Sequence, residues 1–181
     1  QGGTLELRFL TWLYWHAGIN TNSRLKSDPD AAAMLNSSDT RAVLNAMPIQ
    51  WGKTALSAAP HYEKRAFDLL TVGDYSDLWK DPSVNFEMHW DQCPDVPIVF
   101  SSAWYDSYTR ANLENFIGLT ARKNGPIKLV MGPWTHGGWG VTYSGDLDFG
   151  TEPHIDYNDT RLAWFDHYLK DLQTEAGDWS P

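Results

Sequence analysis

The sequence predicts an α/β protein in which a mainly helical region, residues 1–92, precedes a region of alternating strands and helices, residues 93–181. In the first region, apolar side chains recur at the spacing of a helix face. In the second, two short apolar runs rich in β-branched residues are each followed by a helical pattern. Hydrophobic residues make up 42% and charged residues 20% of the chain, as is typical of a folded globular protein.

The first region divides into several predicted helices. Residues 4–16 carry apolar side chains at three- and four-residue spacing. Asp28 and Pro29 are typical of the N-cap and first turn of a second helix. We expect that helical stretch to cover residues 31–47 with a break near its middle. Residues 61–71 predict a further helix, so the first 92 residues are expected to be mainly helical.

The second region alternates strands and helices. Apolar runs at 96–102 and 127–132 are typical of buried strands. A helical pattern between them, at 108–123, implies parallel strands joined by a right-handed crossover. A loop rich in glycine follows, and a last helix is expected to begin at a cap formed by Asn158 or Asp159. Two strands do not make a stable sheet alone, so we expect this region to be part of a larger domain.

The composition narrows the function classes. A net charge of −9 leaves no basic surface for phosphate contacts, so nucleic acid is excluded as a partner. No apolar run is long enough to span a membrane, and we expect no membrane partner. Cys93 is the only cysteine, which excludes an intramolecular disulfide and a cysteine-based metal site. His89 and Asp91 are too few ligands for a metal, and we predict neither a metal nor another cofactor.

Asp106 and His136 are the candidate catalytic residues. Each comes just past a predicted strand, and functional groups of a parallel sheet gather beyond the carboxyl ends of its strands. Neighbouring strands lie about 5 Å apart, so the two side chains can meet. An Asp that orients a His is the acid–base half of a nucleophilic triad. One alternative stays open: Asp106 could instead cap a helix that begins at Ser107.

Two short strings carry a family resemblance. Residues 104–106 read Trp-Tyr-Asp ahead of a helix, and residues 132–137 read Gly-Pro-Trp-Thr-His-Gly. Together they resemble the cocaine-esterase-like α/β-hydrolases, a family that includes X-Pro dipeptidyl-peptidases, cephalosporin acylases and α-amino-acid ester hydrolases. Residues 74–82, 145–150 and 164–170 are similar to the cap, the intervening loop and the last helix of that family. The resemblance therefore runs over nearly the whole chain.

The resemblance implies a partial α/β-hydrolase fold. Residues 93–181 would supply the last parallel strands and helices of the sheet, and residues 1–92 the helical cap. Asp106 would be the triad acid and His136 the triad base of a serine hydrolase acting on ester or amide acyl substrates. Tyr108 falls where the family places an aromatic residue on the acyl-pocket wall. Trp104 and Trp134 are further candidate substrate contacts, although both are also compatible with core packing.

The serine of the triad has no candidate in the sequence. None of the serines stands in a Gly-x-Ser-x-Gly elbow. By resemblance, the nucleophile would lie upstream of the cap, so we expect this chain to be a fragment that is inactive alone. In the α-amino-acid ester hydrolases of the resembled family, acidic residues just after the triad Asp bind the ammonium of the substrate. Here that stretch reads Ser107, Tyr108, Thr109 and Arg110, so the resemblance implies a plain acyl group more than a free-amine substrate.

The expected partners follow from this interpretation. They are a small-molecule ester or amide substrate and the remainder of the chain's own hydrolase domain. Exposed sheet edges and apolar surface would also favour homo-oligomers. The alternative function is a non-catalytic fragment or binding module with an apolar cleft, to which the ten tryptophans are suited. A serine elbow in a companion chain would discriminate between the two.

Overall fold

The computed structural model describes residues 7–19, 28–46 and 48–179. The chain forms two compact units, Gln1–Trp79 and Lys80–Pro181, which are treated separately below. The sequence predicts a different boundary, between residues 92 and 93, where a cap would meet a catalytic core. That division stays a prediction. In the described ranges, every helix is too short or too polar to cross a membrane.

The first unit is helical. Asp28 accepts a hydrogen bond from the amide of Ala31, and Pro29 begins the second helix, as predicted. The break expected inside residues 31–47 is also confirmed, because one helix ends at Asn36 and Asp39 caps the next. The start of the helix predicted from residue 4 lies outside the described residues. The helices are α1 (Leu7–Ile19), α2 (Pro29–Asn36), α3 (Thr40–Asn45), α4 (Pro60–Thr71) and, at the boundary between the units, α5 (Asp77–Lys80).

One apolar core holds the first unit together. One face of α1 contributes four of its members, and α2, α4, the short 3₁₀ helix Ala55–Ala58 and the residue that joins the last two, Ala59, supply the others. Burial of such a face provides most of the stability of a helical unit, because short helices are marginal on their own. The core residues are Leu10, Leu13, Tyr14, Ala17, Ala31, Leu35, Leu56, Ala59 and Ala66.

The second unit contains a small parallel sheet, which fits the predicted α/β class. Its strands are β1 (Ile98–Tyr105) and β2 (Ile127–Thr135), and the crossover between them contains α6 (Thr109–Thr120). Both strands end three residues later than the apolar runs predicted. Pairing continues past the predicted ends, through Ala103 with Gly132 and, beyond an irregularity, Tyr105 with Thr135.

The crossover helix packs closely on its surroundings. Phe116 of α6 meets Phe100 of β1 edge to face, with ring centroids 6.4 Å apart. The indole of Trp90 lies flat enough on α6 that a Cβ added at Gly118 would stand 2.4 Å from it. Its Nε1 donates to Asn115 Oδ1 at 2.8 Å. Glycine is therefore the residue that fits at position 118.

Asp95 fixes the starting ends of β1 and β2. Its carboxylate accepts hydrogen bonds from the amides of Gly125 at 2.7 Å and Asn124 at 3.1 Å. These two backbone donors hold the pKa of Asp95 below its usual value, and the amide of Gly125 has the larger effect. The amide of Ile98 donates to Pro126 O at 2.9 Å directly beyond this contact. The pairing register of the sheet is thus set at its amino-terminal end.

The remaining elements follow the sheet. A short antiparallel hairpin, β3 (Tyr143–Ser144) and β4 (Leu147–Asp148), interrupts the predicted loop, and the last helix is α7 (Tyr157–Lys170). The predicted cap at Asn158 or Asp159 is wrong. Asp156 caps α7, accepting from the amides of both those residues at 2.9 and 3.0 Å, as an N-cap side chain does two and three positions ahead.

Candidate active site

The pairing of β1 with β2 changes register just before the candidate residues. The ladder is regular as far as the pair Ala103 and Gly132, and the next pair is Tyr105 and Thr135. One residue of β1 therefore stands against two of β2. This is a β-bulge, in which one strand carries an extra residue and bends away from its partner.

The bulge brings the two candidate residues level with each other. Pro133 and Trp134 occupy it on β2, and a bulge is one of the few places in a sheet that tolerates a residue without a backbone N–H. Because β2 carries one extra residue in the bulge, the strands end at a paired position, Tyr105 with Thr135. Asp106 is then the first residue past β1, and His136 is the first residue past β2. In an unbroken ladder, Asp106 would lie opposite Thr135 instead.

Asp106 and His136 are in hydrogen-bond contact. His136 Nδ1 lies 2.9 Å from Asp106 Oδ2. The side chain of Asp106 is 11% exposed and that of His136 is 62% exposed. An ionised carboxylate only accepts hydrogen bonds, so a neutral imidazole in this contact carries its proton on Nδ1. That tautomer leaves Nε2 as the ring atom able to take up a proton.

The alternative role of Asp106 as a helix cap is wrong. The N-cap of α6 is Tyr108, two residues further on, and its side chain makes no capping hydrogen bond. Asp106 instead turns its second oxygen, Oδ1, to the amide of Tyr108 at 2.9 Å. Thr109 Oγ1 stands 2.6 Å from the carbonyl oxygen of Asp106 and secures the same turn. Both carboxylate oxygens are therefore engaged, one by the turn and one by His136.

The three predicted substrate contacts differ in position. The ring of Tyr108 lies beside His136, with centroids 5.5 Å apart, and is partly exposed. Trp104 is 58% exposed on the last part of β1. Trp134 is only 3% exposed, and its Nε1 donates to Pro153 O at 2.7 Å. The core packing considered for Trp134 is thus observed, while contact with a substrate stays a prediction for all three residues.

Gly132 is needed for Trp134 to pack as it does. A Cβ added at Gly132 would lie 2.5 Å from the indole of Trp134, closer than carbon atoms approach in proteins. The Gly-Pro-Trp part of the motif therefore has a local physical explanation. Gly132 leaves room for the indole of Trp134, Pro133 lies in the bulge, and the indole is buried next to the end of β2.

The loop after His136 folds back on the end of the sheet. The amide of Gly138 donates to Thr135 O at 3.0 Å, and Gly137 adopts a φ of 74°, a conformation that glycine adopts without strain. Further along, Phe149 returns to β1, where its ring centroid lies 6.1 Å from that of Tyr105. The segment from His136 to Phe149 thus begins and ends beside the same residue of β1.

Two aromatic residues near the pair were not predicted from the sequence. Phe149 contacts Tyr105, and Trp139 lies between the rings of Trp134 and Tyr157. The only sequence signal for them was the aromatic content of the loop after His136. Helical or strand periodicity, which identified the other elements, gives no information in such a loop.

Two other charged side chains of the second unit, Arg110 and Asp91, are engaged in ion pairs. Arg110 Nε donates to Glu114 at 2.7 Å, and that carboxylate raises the pKa of Arg110. Asp91 pairs with Arg122 at 3.1 Å and not with His89. Among the residues that the structure describes, no three His, Cys, Asp or Glu side chains come together as a metal site. The site as described consists of one carboxylate, one imidazole and aromatic rings.

The parallel sheet and the Asp106–His136 pair at its carboxyl edge define an α/β protein with a candidate acid–base site. The chain belongs to the X-Pro dipeptidyl-peptidase (S15) family, whose model matches residues 1–138. The family predicted from the sequence is thereby confirmed, and membership implies a hydrolase of the S15 type. The match includes both Asp106 and His136. No curated protein matches the chain.

Proposed function

We propose that this chain supplies the acid and the base of a Ser-His-Asp triad in an acyl hydrolase. Asp106 orients the imidazole through Nδ1, and Nε2 of His136 takes the proton of a serine hydroxyl as that oxygen attacks the acyl carbonyl. The same proton then passes to the leaving group when the tetrahedral intermediate collapses. The observation that supports this most directly is the 2.9 Å contact between His136 Nδ1 and Asp106 Oδ2.

The proposal includes a partial α/β-hydrolase fold. β1 and β2 would be the last parallel strands of the sheet, α6 and α7 the helices beside them, and residues 1–92 the cap. The chain order supports it, because Asp106 follows one strand and His136 the next, as the acid and the base do in α/β-hydrolases. The family match over residues 1–138 spans the proposed cap and both strands.

The nucleophile is proposed to come from a segment outside these 181 residues, upstream of the cap in the chain order of the fold. No serine of the chain stands in a Gly-x-Ser-x-Gly elbow. Ser102 is buried within β1, where its hydroxyl cannot face a substrate. Without the serine, the pair has no hydroxyl to activate, and this chain alone is expected to be inactive.

The proposed substrates are small esters or amides with an apolar acyl group. Trp104, Tyr105 and Tyr108 present partly exposed rings around the ends of the strands, and such rings bind apolar groups. By the family resemblance, amino-acid ester hydrolases bind the ammonium of their substrate through acidic residues just after the triad Asp. Residues 107–110 supply none, which favours a plain acyl group. We propose Trp104 and Tyr108 as contacts of that group, with Trp134 supporting the strand end beneath them.

The proposal is tested by reconstituting the triad. The chain is mixed with a separately produced segment of an S15-family hydrolase that carries the serine elbow, and then treated with a fluorophosphonate probe. We expect the adduct on the companion serine, and turnover of p-nitrophenyl esters to fall by about 10⁴- to 10⁶-fold in His136→Ala. His61→Ala, which removes an exposed histidine of the first unit, is the control.

Two outcomes would overturn it. An adduct on a serine within the 181 residues would place the nucleophile in this chain. Labelling and turnover that are unchanged in His136→Ala would remove His136 from the role of base. Apolar ligand binding without any probe adduct would instead support the binding-module alternative.

A further inference from the structure

His136 lies in a tight turn that contains two glycines and is closed by the hydrogen bond from the amide of Gly138 to Thr135 O. Gly137 and Gly138 follow it directly, and residues without a side chain lose the most conformational freedom on ordering. A Cβ at Gly137 would meet none of the described residues within 4 Å, so that side of the turn is open. The imidazole is mostly exposed, and its contact with Asp106 is the side-chain hydrogen bond that orients it. A histidine so placed needs a second restraint if one orientation is to dominate.

Trp139 provides such a restraint on the far side of the two glycines. Its ring stacks on Tyr157, with centroids 4.6 Å apart and planes only 4° from parallel. On the other side it meets Trp134, with centroids 4.9 Å apart. Trp134 is itself fixed by burial and by its bond to Pro153, and Tyr157 is the first residue of α7. Three rings thus form one row from the strand end to the last helix.

This aromatic row, Trp134–Trp139–Tyr157, is anchored at both ends. The guanidinium of Arg161, one turn along α7, lies 5.2 Å from the ring centroid of Tyr157. The carbonyl oxygen of Trp139 also faces the amide of Ile155 at 3.5 Å. Trp139 is therefore held by ring contacts on two sides and near a backbone donor on a third.

We propose that Trp139 is a positioning residue for His136. By fixing the chain three residues after the histidine, the row holds the far end of the turn that carries the imidazole, beyond the two glycines. The imidazole is then kept with Nδ1 toward Asp106 and Nε2 outward. This inference rests on the proposed role of His136 as the base. Trp139 acts through His136 and touches neither a substrate nor the reacting atoms.

The tautomer of His136 is the readout, because a merely structural role for Trp139 would not change it. Chain labelled with ¹⁵N at histidine gives imidazole nitrogen shifts by NMR, and His136→Ala assigns the signals. We expect the Nδ1-protonated tautomer in the wild type. In Trp139→Ala, the ratio of the Nε2-protonated to the Nδ1-protonated tautomer should rise by about two- to tenfold, the range that corresponds to the free energy of a single aromatic pair.

Matched variants separate this effect from general damage. Trp139→Phe retains a ring in the row and should restore the wild-type ratio. Trp179→Ala removes a different stacked tryptophan of the same unit, on Trp164, and should leave the ratio unchanged. If Trp139→Ala loses its folded amide spectrum, Tyr157→Ala tests the same row from its other end.

The results distinguish the two proposals. A wild-type tautomer that does not change in Asp106→Asn would contradict the acid–base pair itself. A wild-type tautomer that depends on Asp106, but that Trp139→Ala and Tyr157→Ala leave unaltered, would overturn the positioning inference alone. A shift in Trp179→Ala as large as that in Trp139→Ala would also overturn it.

Discussion

The two units of the chain are ordered by different kinds of contact. In the first, nine buried residues from several helices form one apolar cluster, and most of them are leucine or alanine. In the second, the key positions are set by carboxylates that accept backbone hydrogen bonds, by ring stacks and by two close approaches of a glycine to a tryptophan, at Gly118 and Gly132. Apolar burial is non-directional, whereas hydrogen bonds and close packing fix distances and angles. The unit that contains the candidate acid–base pair is the one ordered by directional contacts.

The largest expected effect on stability is in the apolar cluster. Leu56 is fully buried, so Leu56→Ala should lower the free energy of unfolding of the first unit by about 2–5 kcal/mol, through lost transfer energy and the cavity left behind. A urea titration followed by circular dichroism measures this. Leu169→Ala, at an exposed position of α7, is the matched control and should change stability by less than about 0.5 kcal/mol. Equal losses in the two variants would contradict the core assignment.

A smaller loss of stability is expected in the second unit, where Gly132 lies close against the indole of Trp134. Gly132→Ala would bring a Cβ within 2.5 Å of the Trp134 indole, and the forced shift should cost about 1–3 kcal/mol. It should also disturb the bulge and hence the Asp106–His136 contact, seen as a changed His136 tautomer by NMR. Gly140→Ala is the control, since the nearest atom to its Cβ would be 3.8 Å away. If the two alanine variants behave alike, the explanation of the motif by packing fails.

The smallest effect depends on pH. The folded-state pKa of Asp95 is lowered by the Gly125 and Asn124 donors. Such a carboxyl stabilises the fold above its unfolded pKa, and this contribution is lost as pH falls through the folded pKa. Asp95→Asn should therefore be less stable than the wild type at pH 7, and the difference should shrink below about pH 4, where the unfolded carboxyl protonates.

Urea titrations at neutral and acidic pH measure this, with Glu152→Gln as the control for the loss of one exposed negative charge. A difference between Asp95→Asn and the wild type that stays constant across the pH range would show that the carboxylate charge is not what holds the sheet start. It would then weaken the comparison between the two units.

The sequence predicted the elements whose signals are local. The cap at Asp28 with Pro29 behind it, the break before Asp39 and the apolar beginnings of both strands depend on residues within a few positions of each other. The predicted cap of α7 was wrong because Asp156 stands two residues before the two candidates, Asn158 and Asp159, and only the path of the chain selects it. Local patterns predict that an element exists better than they predict where it ends.

The site was predictable in part for the same reason. Two residues at the ends of successive parallel strands can be named from the sequence, and Asp106 and His136 do lie in contact. The bulge at Pro133 could not be predicted, because register is a property of two strands together. Likewise, Trp139 stacks on a residue of α7, a contact that no periodicity within the loop contains.

Cys93 allows the unfolding of the second unit to be followed separately. It is partly buried, follows the 3₁₀ helix Phe86–Gln92 and lies two residues before Asp95. As the chain has a single thiol, a maleimide dye would attach at one position, beside the hydrogen bonds that fix the start of the sheet. Its emission would then follow the second unit through a denaturation, whereas circular dichroism records the helices of both. For the same reason, a disulfide that forms between protein thiols in the purified chain links two copies of it, so storage calls for a reductant that is removed just before the dye is added.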